Sequence, residues 1–138
     1  MFEKVDFLIN IINGGGNIFY FYHKARKILL PLEAALNLSS RIRDSHPSQP
    51  STQDTFKKTL FSLKAKIKYI KIYLYQEGNY YTYLSLLKND SYVDINSSFI
   101  DAMELMQTFN IPVLVEKNIL QECGFKVTKE LIEKALVN

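Results

Sequence analysis

The apolar residues between positions 56 and 74 recur every three or four residues, and this spacing constrains the fold more than any other feature of the sequence. The run consists of Phe56, Leu60, Leu63, Ile67, Ile70 and Leu74. Such spacing places the side chains on one face of an α-helix. The sequence therefore predicts a helix from about residue 54 to residue 76.

The same spacing recurs elsewhere and predicts further helices. One is expected over the first twelve residues, and a longer one from Ile18 to Arg43. Pro31 should kink the longer helix, because proline lacks a backbone N–H and clashes with the preceding turn. Shorter helices are expected at 80–88, from a Ser97 or Ser98 cap to Phe109, from Pro112 to Gly124 and from Thr128 onward.

These elements together describe one all-α domain over residues 1–138. A chain of 138 residues and 16.0 kDa is long enough for a single core. We expect a compact bundle of six to seven helices with one kinked N-terminal helix pair. Residues 111–115 fit a strand as well as a helix. Residues 44–55, which contain no apolar residue apart from two prolines, are expected to form a mobile loop.

The composition excludes several classes of protein. A single cysteine, Cys123, forbids an internal disulfide, which fits a reducing, intracellular and therefore cytoplasmic setting. One cysteine and two histidines cannot form a closed zinc site, and no cofactor is expected. Uninterrupted apolar runs are far shorter than the roughly 20 residues that span a bilayer, so no membrane partner is expected.

One flank of the predicted 54–76 helix would carry a stripe of four lysines: Lys57, Lys64, Lys68 and Lys71. Phe61 and Tyr75 border this flank, and Arg41 and Arg43 of the preceding helix would extend the positive patch. Lysines beside aromatic rings suit a nucleic-acid backbone, because they pair with phosphates while the rings stack on bases. The alternative is a solvated flank whose lysine stems cover the edge of the core.

Charge is unevenly distributed along the chain. Residues 1–75 hold twelve Lys and Arg against five Asp and Glu, whereas residues 76–138 hold five Lys against nine Asp and Glu. A basic half suits a polyanion, and an acidic half could contact the basic half of another copy, head to tail. Chance asymmetry within one folded domain is the alternative.

Six tyrosines cluster around residue 78: Tyr69, Tyr73, Tyr75, Tyr80, Tyr81 and Tyr83. Tyrosine buries its ring while its hydroxyl stays solvated, which suits packing between helices. Tyrosine is also enriched at protein interfaces, so a protein-binding surface is the alternative.

Three groups of residues could carry chemistry. Arg41 and His46 form an Arg-x4-His pair, which resembles the motif with which HEPN-type ribonucleases cleave RNA; that resemblance implies an all-helical nuclease using both residues. Asp101 and Glu104, three residues apart on one helix face, could bind a divalent ion, although solvated acidic faces are commoner. Cys123 would end a helix, where the dipole raises its pKa and disfavours a nucleophilic role.

The sequence thus predicts a non-catalytic small helical subunit of a nucleic-acid-handling assembly. It would bind the nucleic-acid backbone, as a single strand or a guide duplex, through the lysine stripe, alongside other protein subunits. In size and helical shape such a protein is similar to the small subunits of CRISPR effector complexes. A helical adaptor that binds only proteins is the first alternative, and the ribonuclease with Arg41 and His46 is the second.

Overall fold

The chain forms a mixed β-sheet with helices packed on one face, so the predicted all-α bundle is wrong. The structure, a computed structural model, describes residues 1–12, 16–32 and 52–126. Within these ranges, residues 9–12 and 16–18 are described by their backbone alone. The described elements are β1 (Phe2–Ile12), β2 (Gly16–His23), β3 (Ile28–Leu32), α1 (Thr52–Ser62), β4 (Ala65–Gln76), β5 (Asn79–Lys88), β6 (Ser91–Ser97), α2 (Phe99–Phe109), β7 (Val113–Glu116), α3 (Lys117–Cys123) and β8 (Phe125–Lys126).

The described strands form one eight-stranded sheet in the order β6-β5-β4-β7-β1-β2-β3-β8. Only β4 and β7 pair in parallel among these neighbours; the other pairs are antiparallel. This parallel pair joins two antiparallel halves, which explains why the connection from β6 through α2 to β7 crosses the sheet. The shape analogy to small helical subunits therefore has no support in the fold.

Two tight hairpins connect the strands β4, β5 and β6. Glu77 and Gly78 connect β4 to β5, and Asn89 and Asp90 connect β5 to β6. All four residues have positive φ, between 50° and 80°, which is the conformation of type I′ turns. Residues 80–88, predicted as a helix, are therefore the central strand of a three-stranded meander.

The helix predicted for residues 54–76 exists only in its first half. It ends at Ser62, where Lys64 adopts φ 59° and turns the chain into β4. The remaining residues are rich in β-branched and aromatic side chains, which pack well on a pleated sheet. Thr52–Thr55, predicted within a mobile loop, belong to α1; residues 44–51 lie outside the described part of the chain.

The predicted N-terminal helices are also strands as far as Leu32, and residues 33–43 lie outside the description. Pro31 does not kink a helix; it lies in β3, opposite Tyr20 of β2. Proline is tolerated there because β8 covers β3 only at Ile28 and Leu29 in the described sheet.

The helix α2 confirms one local prediction. It runs from Phe99 to Phe109, and the Oγ of its N-cap Ser98 accepts the backbone N–H of Asp101 at 3.1 Å. Residues 113–116 form a strand, which decides the alternative left open for 111–115. The helix after it starts at Lys117, later than expected, and ends before Gly124 as predicted.

A single main core lies between the helices and one face of the sheet. Ile70 and Ile72 of β4, Phe21 of β2 and Met103 of α2 are fully buried there. Alternation along each strand sends the intervening side chains to the opposite face of the sheet, called the outer face below. None of the helices in the described residues is long and apolar enough to span a lipid bilayer.

Candidate active site and substrate surface

A cavity of about 810 Å³ opens at the β4–β5 turn, between this hairpin and the helices α2 and α3. Its walls combine aromatic rings, hydroxyl and amide groups, and two carboxylates: Tyr75, Tyr80, Tyr81, Phe99, Ser97, Ser98, Asn79, Asp101 and Glu122. Apolar walls with a few polar groups are typical of binding sites for small ligands and nucleotides.

Asp101 is held at this cavity by the start of α2. Ser98 ends the extended segment after β6 and caps the helix, so Asp101 occupies the first helical turn. A carboxylate in the first turn is favoured by the helix dipole. The local sequence therefore fixes where this acidic group lies.

Glu122 reaches the same cavity from the last turn of α3, beside Cys123. Burial raises the pKa of the Cys123 thiol, and the neighbouring charge of Glu122 raises it further. The thiol therefore stays protonated at neutral pH, as the sequence predicted. Asp101 and Glu122 are the two carboxylates that line the cavity.

Three aromatic rings in contact form part of the cavity wall. The ring of Tyr80 lies 4.9 Å from that of Tyr75 and 5.2 Å from that of Phe99, measured between centroids. The Tyr80 hydroxyl donates to the carbonyl oxygen of Pro31 at 3.1 Å. These contacts anchor the β4–β5 hairpin to α2 and β3, and they leave Tyr75 with 40% of its surface exposed.

A row of tyrosines continues from the cavity onto the outer face of the sheet. It consists of Tyr75, Tyr81, Tyr73 and Tyr83, called the tyrosine row below. Tyr81 lines the cavity and lies 6.4 Å from Tyr73, which stacks on Tyr83 at 3.9 Å with an interplanar angle of 13°. Tyrosines predicted to pack between helices thus form a surface around the end of a hairpin.

A β-bulge places Tyr73 in this row. The β4–β5 register shifts between Ile72 and Leu74, so Tyr73 is the extra residue of β4. Its hydroxyl reaches across β5 and donates to Oδ1 of Asn96 on β6, at 3.1 Å. Burial raises the pKa of Tyr73, and the adjacent Tyr83 and Tyr81 add to the effect, so the hydroxyl remains a donor at neutral pH.

The four predicted lysines do not share one flank, because the helix that would carry them ends at Ser62. Lys57 lies on α1, on the helix side of the sheet, with Nζ 4.3 Å from the ring centroid of Phe109. Phe61 lies near it, and both line a separate cavity of about 140 Å³. Lys64 occupies the turn after α1, and Lys68 is the extra residue of a second β-bulge.

Lys71 lies on the outer face, because its neighbours Ile70 and Ile72 point into the core. It pairs directly with Tyr83 in the β4–β5 register, and its Nζ lies 3.6 Å from Oδ2 of Asp94. Of the predicted binding residues, Lys71 and Tyr75 therefore lie beside or in the tyrosine row. Arg41 and Arg43 lie outside the described residues, and the binding role of the whole set stays a prediction.

Of the pair Asp101 and Glu104, predicted to bind a divalent ion, only Asp101 lines this cavity. Glu104 is buried and accepts a hydrogen bond from Nε2 of Gln53, whereas Asp101 is exposed at the cavity, so these two residues have different environments. Within the described residues, no group of three or more His, Cys, Asp or Glu side chains could hold a metal ion. Arg41 and His46 lie outside the described part, and the β-rich sheet does not match the helical family that this pair resembles.

Sequence reasoning missed Glu122 and the exposed row of tyrosines. Glu122 lines the same cavity as Asp101 only through the tertiary packing of α3, for which the sequence carries no local signal. The tyrosines could have been placed on a hairpin, because Glu77 and Gly78 form a two-residue turn between two runs rich in β-branched and aromatic residues.

A second polar cluster braces the opposite half of the sheet. Nε of Arg26 donates to both carboxylate oxygens of Glu3, at 2.9 and 3.1 Å. The backbone N–H of Arg26 donates to Nδ1 of the buried His23, whose Nε2 lies 3.4 Å from Oε1 of Glu3. Because each group has partners, the cluster ties β1 to the turn after β2 rather than forming an open site.

This cluster should make stability depend on pH. Burial raises the pKa of Glu3, but the hydrogen bond and charge of Arg26, with His23 and Lys117, outweigh it and hold the pKa below the ordinary 4.5. A carboxyl group whose pKa is lower in the folded state than in the unfolded state stabilises the fold at pH values above its ordinary pKa. This stabilisation is lost as the pH falls through the folded-state pKa. In urea unfolding, the wild type should therefore lose stability between about pH 5 and pH 3 more steeply than Glu3→Gln. Parallel pH profiles for the two proteins would contradict this prediction.

Comparison with known families supplies the identity of the domain. A family model described as a bifunctional nuclease domain matches residues 24–128, which include the cavity, both carboxylates and the tyrosine row. No curated protein matches the chain. The expected nucleic-acid-related function is confirmed at this level, but the expectation of a non-catalytic protein is wrong, because the family points to a nuclease. The family model covers most of the sequence, and the chain belongs to the bifunctional nuclease domain family.

Proposed function

We propose that this domain hydrolyses phosphodiester bonds of single-stranded nucleic acid at the cavity between the β4–β5 hairpin and the helices α2 and α3. The observation that carries the proposal is the continuity of the site. One cavity holds the carboxylates of Asp101 and Glu122, and the tyrosine row leads from it onto the outer face.

The tyrosine row supports a single-stranded substrate. Every unpaired base has a face that can stack on an aromatic ring, and stacking is worth about 1–3 kcal/mol per base. A duplex hides those faces within its own stack. Tyr75 and Tyr81 are each 40% exposed and therefore available to bases.

Lys71 is the predicted lysine best placed to contact the backbone of such a strand. It lies beside Tyr83 and forms an ion pair with Asp94. When a phosphate approaches, Lys71 would exchange the carboxylate of Asp94 for the phosphate. A single lysine predicts a shallow salt dependence, with a log–log slope near −0.7 from this contact. In this arrangement Lys57 and Lys64, on and after α1, would not contact the bound strand.

The two carboxylates suit hydrolysis of a phosphodiester. The reaction joins a water oxygen to phosphorus and breaks one phosphorus–oxygen ester bond; a carboxylate accepts a proton from the water, and the leaving oxygen takes one from solvent. Hard carboxylate oxygens also fit Mg²⁺, which proteins hold through one or two carboxylates together with substrate phosphates. A bound cation would supply neutralisation of charge on the phosphate.

Cleavage of end-labelled oligonucleotides by the purified chain tests the proposal. Single-stranded DNA and RNA, and the matching duplexes, are incubated with Mg²⁺ or with EDTA. We expect cleavage of single strands, slower cleavage of duplexes, and loss of cleavage in EDTA. Failure to cleave any of the four substrates with Mg²⁺ or Mn²⁺ would contradict the proposal and favour a protein that only binds.

A further inference from the structure

The smaller cavity, of about 140 Å³, opens on the helix side of the sheet at the end of α1. Its walls come from α1, from the start of β4 and from the residues that end and follow α2. They are mainly apolar: Leu60, Phe61, Ala65, Ile67, Phe109 and Ile111, together with Lys57 and Lys66. A cavity of roughly 150 Å³ takes a molecule the size of benzene, so this one has room for a single aromatic ring.

The cavity combines a buried wall with an exposed apolar rim. Leu60 and Ile111 are each 8% exposed, whereas Phe61 is 81% exposed although it lines the same cavity. Leu63, which follows α1, is 56% exposed and extends the apolar surface. Protein interfaces are enriched in aromatic residues, and their strongest contacts are side chains that enter a pocket of this kind.

The rim of the cavity is also positively charged. Lys57 and Lys66 line the cavity, and Lys58 and Lys64 are exposed next to them along the chain. Nζ of Lys57 lies 4.3 Å from the ring centroid of Phe109, an arrangement that holds the ammonium group at the cavity. Four lysines therefore surround a pocket for one apolar side chain.

Neighbouring carboxylates in the sequence do not neutralise this charge. Residues 55–76 contain six lysines and no aspartate or glutamate. Among the ion pairs within the described residues, only that between Lys71 and Asp94 uses a lysine of this stretch, and Lys71 lies on the outer face. The lysines around the cavity thus remain available to an anionic partner.

We infer that this cavity binds a protein segment that carries one aromatic side chain flanked by aspartates or glutamates. The ring would fill the cavity, and the flanking carboxylates would meet the lysines. A nucleobase fits less well, because its polar edges would enter a mainly apolar wall without partners. A lipid surface would take up Phe61 and Leu63 but would leave the cavity unfilled.

The docking cavity and the proposed cleavage site lie at opposite ends of α2. Asp101 is in the first turn of this helix and Phe109 is its last residue, roughly 12 Å away along the helix axis. A segment bound at the end of α2 would therefore leave the larger cavity open. The inference stands on the smaller cavity alone and does not rest on the proposed function.

Fluorescence anisotropy with a labelled acidic peptide tests the inference. The probe has one phenylalanine between two runs of about four glutamates; comparison peptides replace the phenylalanine by alanine or the glutamates by lysines. We expect a dissociation constant on the order of tens of micromolar for the probe, at least about a tenfold higher value for the alanine peptide, and no binding of the lysine peptide. Absence of probe binding up to about 1 mM, or equal binding of the phenylalanine and alanine peptides, would overturn the inference.

Two variants test the cavity and its charge separately. Ala65→Leu fills part of the cavity and keeps the lysines, so it should raise the dissociation constant at least about tenfold. Lys57→Gln with Lys66→Gln keeps the apolar wall and should raise it at least about fivefold. If Ala65→Leu fails to fold, the alanine peptide still tests the use of the cavity.

Lys4→Gln is the matched control for charge. Lys4 is exposed on β1 and does not line the cavity, so this variant should bind the probe within about twofold of the wild type. A loss equal to that of the double lysine variant would show attraction by overall charge and contradict a site.

Competition distinguishes the other classes of partner. A single-stranded oligonucleotide should not displace the probe, and displacement would place nucleic acid at this cavity instead. Binding of the wild type to phosphatidylglycerol vesicles in preference to the probe, unchanged by Ala65→Leu, would favour a lipid surface and overturn the inference.

Discussion

The Asp101→Asn variant should lose cleavage of single-stranded nucleic acid by at least about a hundredfold while still binding it, because a carboxylate that takes part in proton transfer or cation binding contributes factors of 10²–10⁴. Asparagine has nearly the same shape, and the cap is made by the backbone N–H of residue 101, so the start of α2 should persist. Single-turnover cleavage and equilibrium binding, measured on the same preparation, separate the two effects.

Asp6→Asn is the matched control for this experiment. Asp6 is an exposed carboxylate on β1 that does not line the cavity, and its loss should leave cleavage at the wild-type rate. Equal cleavage by Asp101→Asn and the wild type would place the chemistry elsewhere. Loss of binding together with cleavage would show that Asp101 holds the substrate rather than acting on it.

Removal of Tyr73 and Tyr81 together should weaken binding of single strands far more than binding of duplexes. At about 1–3 kcal/mol per stacked base, loss of two rings predicts at least about a tenfold rise in the dissociation constant for a single strand. Fluorescence anisotropy with the Asp101→Asn background avoids cleavage during the measurement. Tyr73→Phe should bind normally, because it keeps the ring and loses only the hydroxyl, which donates to Asn96.

Phe61→Ala is the control that distinguishes the two surfaces. Phe61 is 81% exposed on α1, beside Lys57, where the lysine-based prediction from the sequence placed the nucleic acid. It should have no effect if the strand follows the tyrosine row. A larger loss of binding in Phe61→Ala than in the tyrosine variant would favour the helix side.

The sequence allowed prediction of α2 because several local signals agree there. Ser98 is a strong cap, Asp101 suits the first turn, and the buried face repeats with helical spacing through Met103 and Met106. Nothing in residues 98–109 favours a competing structure. Because the cap, the charge and the periodicity agree there, the prediction of this helix was confirmed although the predicted fold class was wrong.

The segment of β4 misled the prediction because two periods fit it. Leu63, Ile67, Ile70 and Leu74 are spaced like a helix face, but Ile70 and Ile72 also alternate as buried residues of a strand. β-Branched and aromatic residues lose side-chain freedom in a helix and pack well on a sheet, which favours the strand. Two bulges disturb the simple alternation, so the strand period was hard to see.

The candidate site was predictable only in parts. Asp101 was singled out with Glu104 as a possible cation site, and Tyr75 as a ring beside the lysine stripe. Glu77 and Gly78 indicate a hairpin turn, but the flanking segments were interpreted as helices. Asp101 and Glu122 line one cavity because of how α2 and α3 pack against the sheet. No spacing along the chain encodes that arrangement.

Photocrosslinking with an oligonucleotide that carries 5-iodouracil tests most directly whether a single strand follows the tyrosine row. The Asp101→Asn variant is irradiated with the bound single strand, and the modified residues are identified by mass spectrometry. We expect adducts on Tyr75, Tyr81 or Tyr83, which lie along the path from the cavity onto the outer face. Adducts confined to Phe61 and the other residues around Lys57, with none in the tyrosine row, would contradict it.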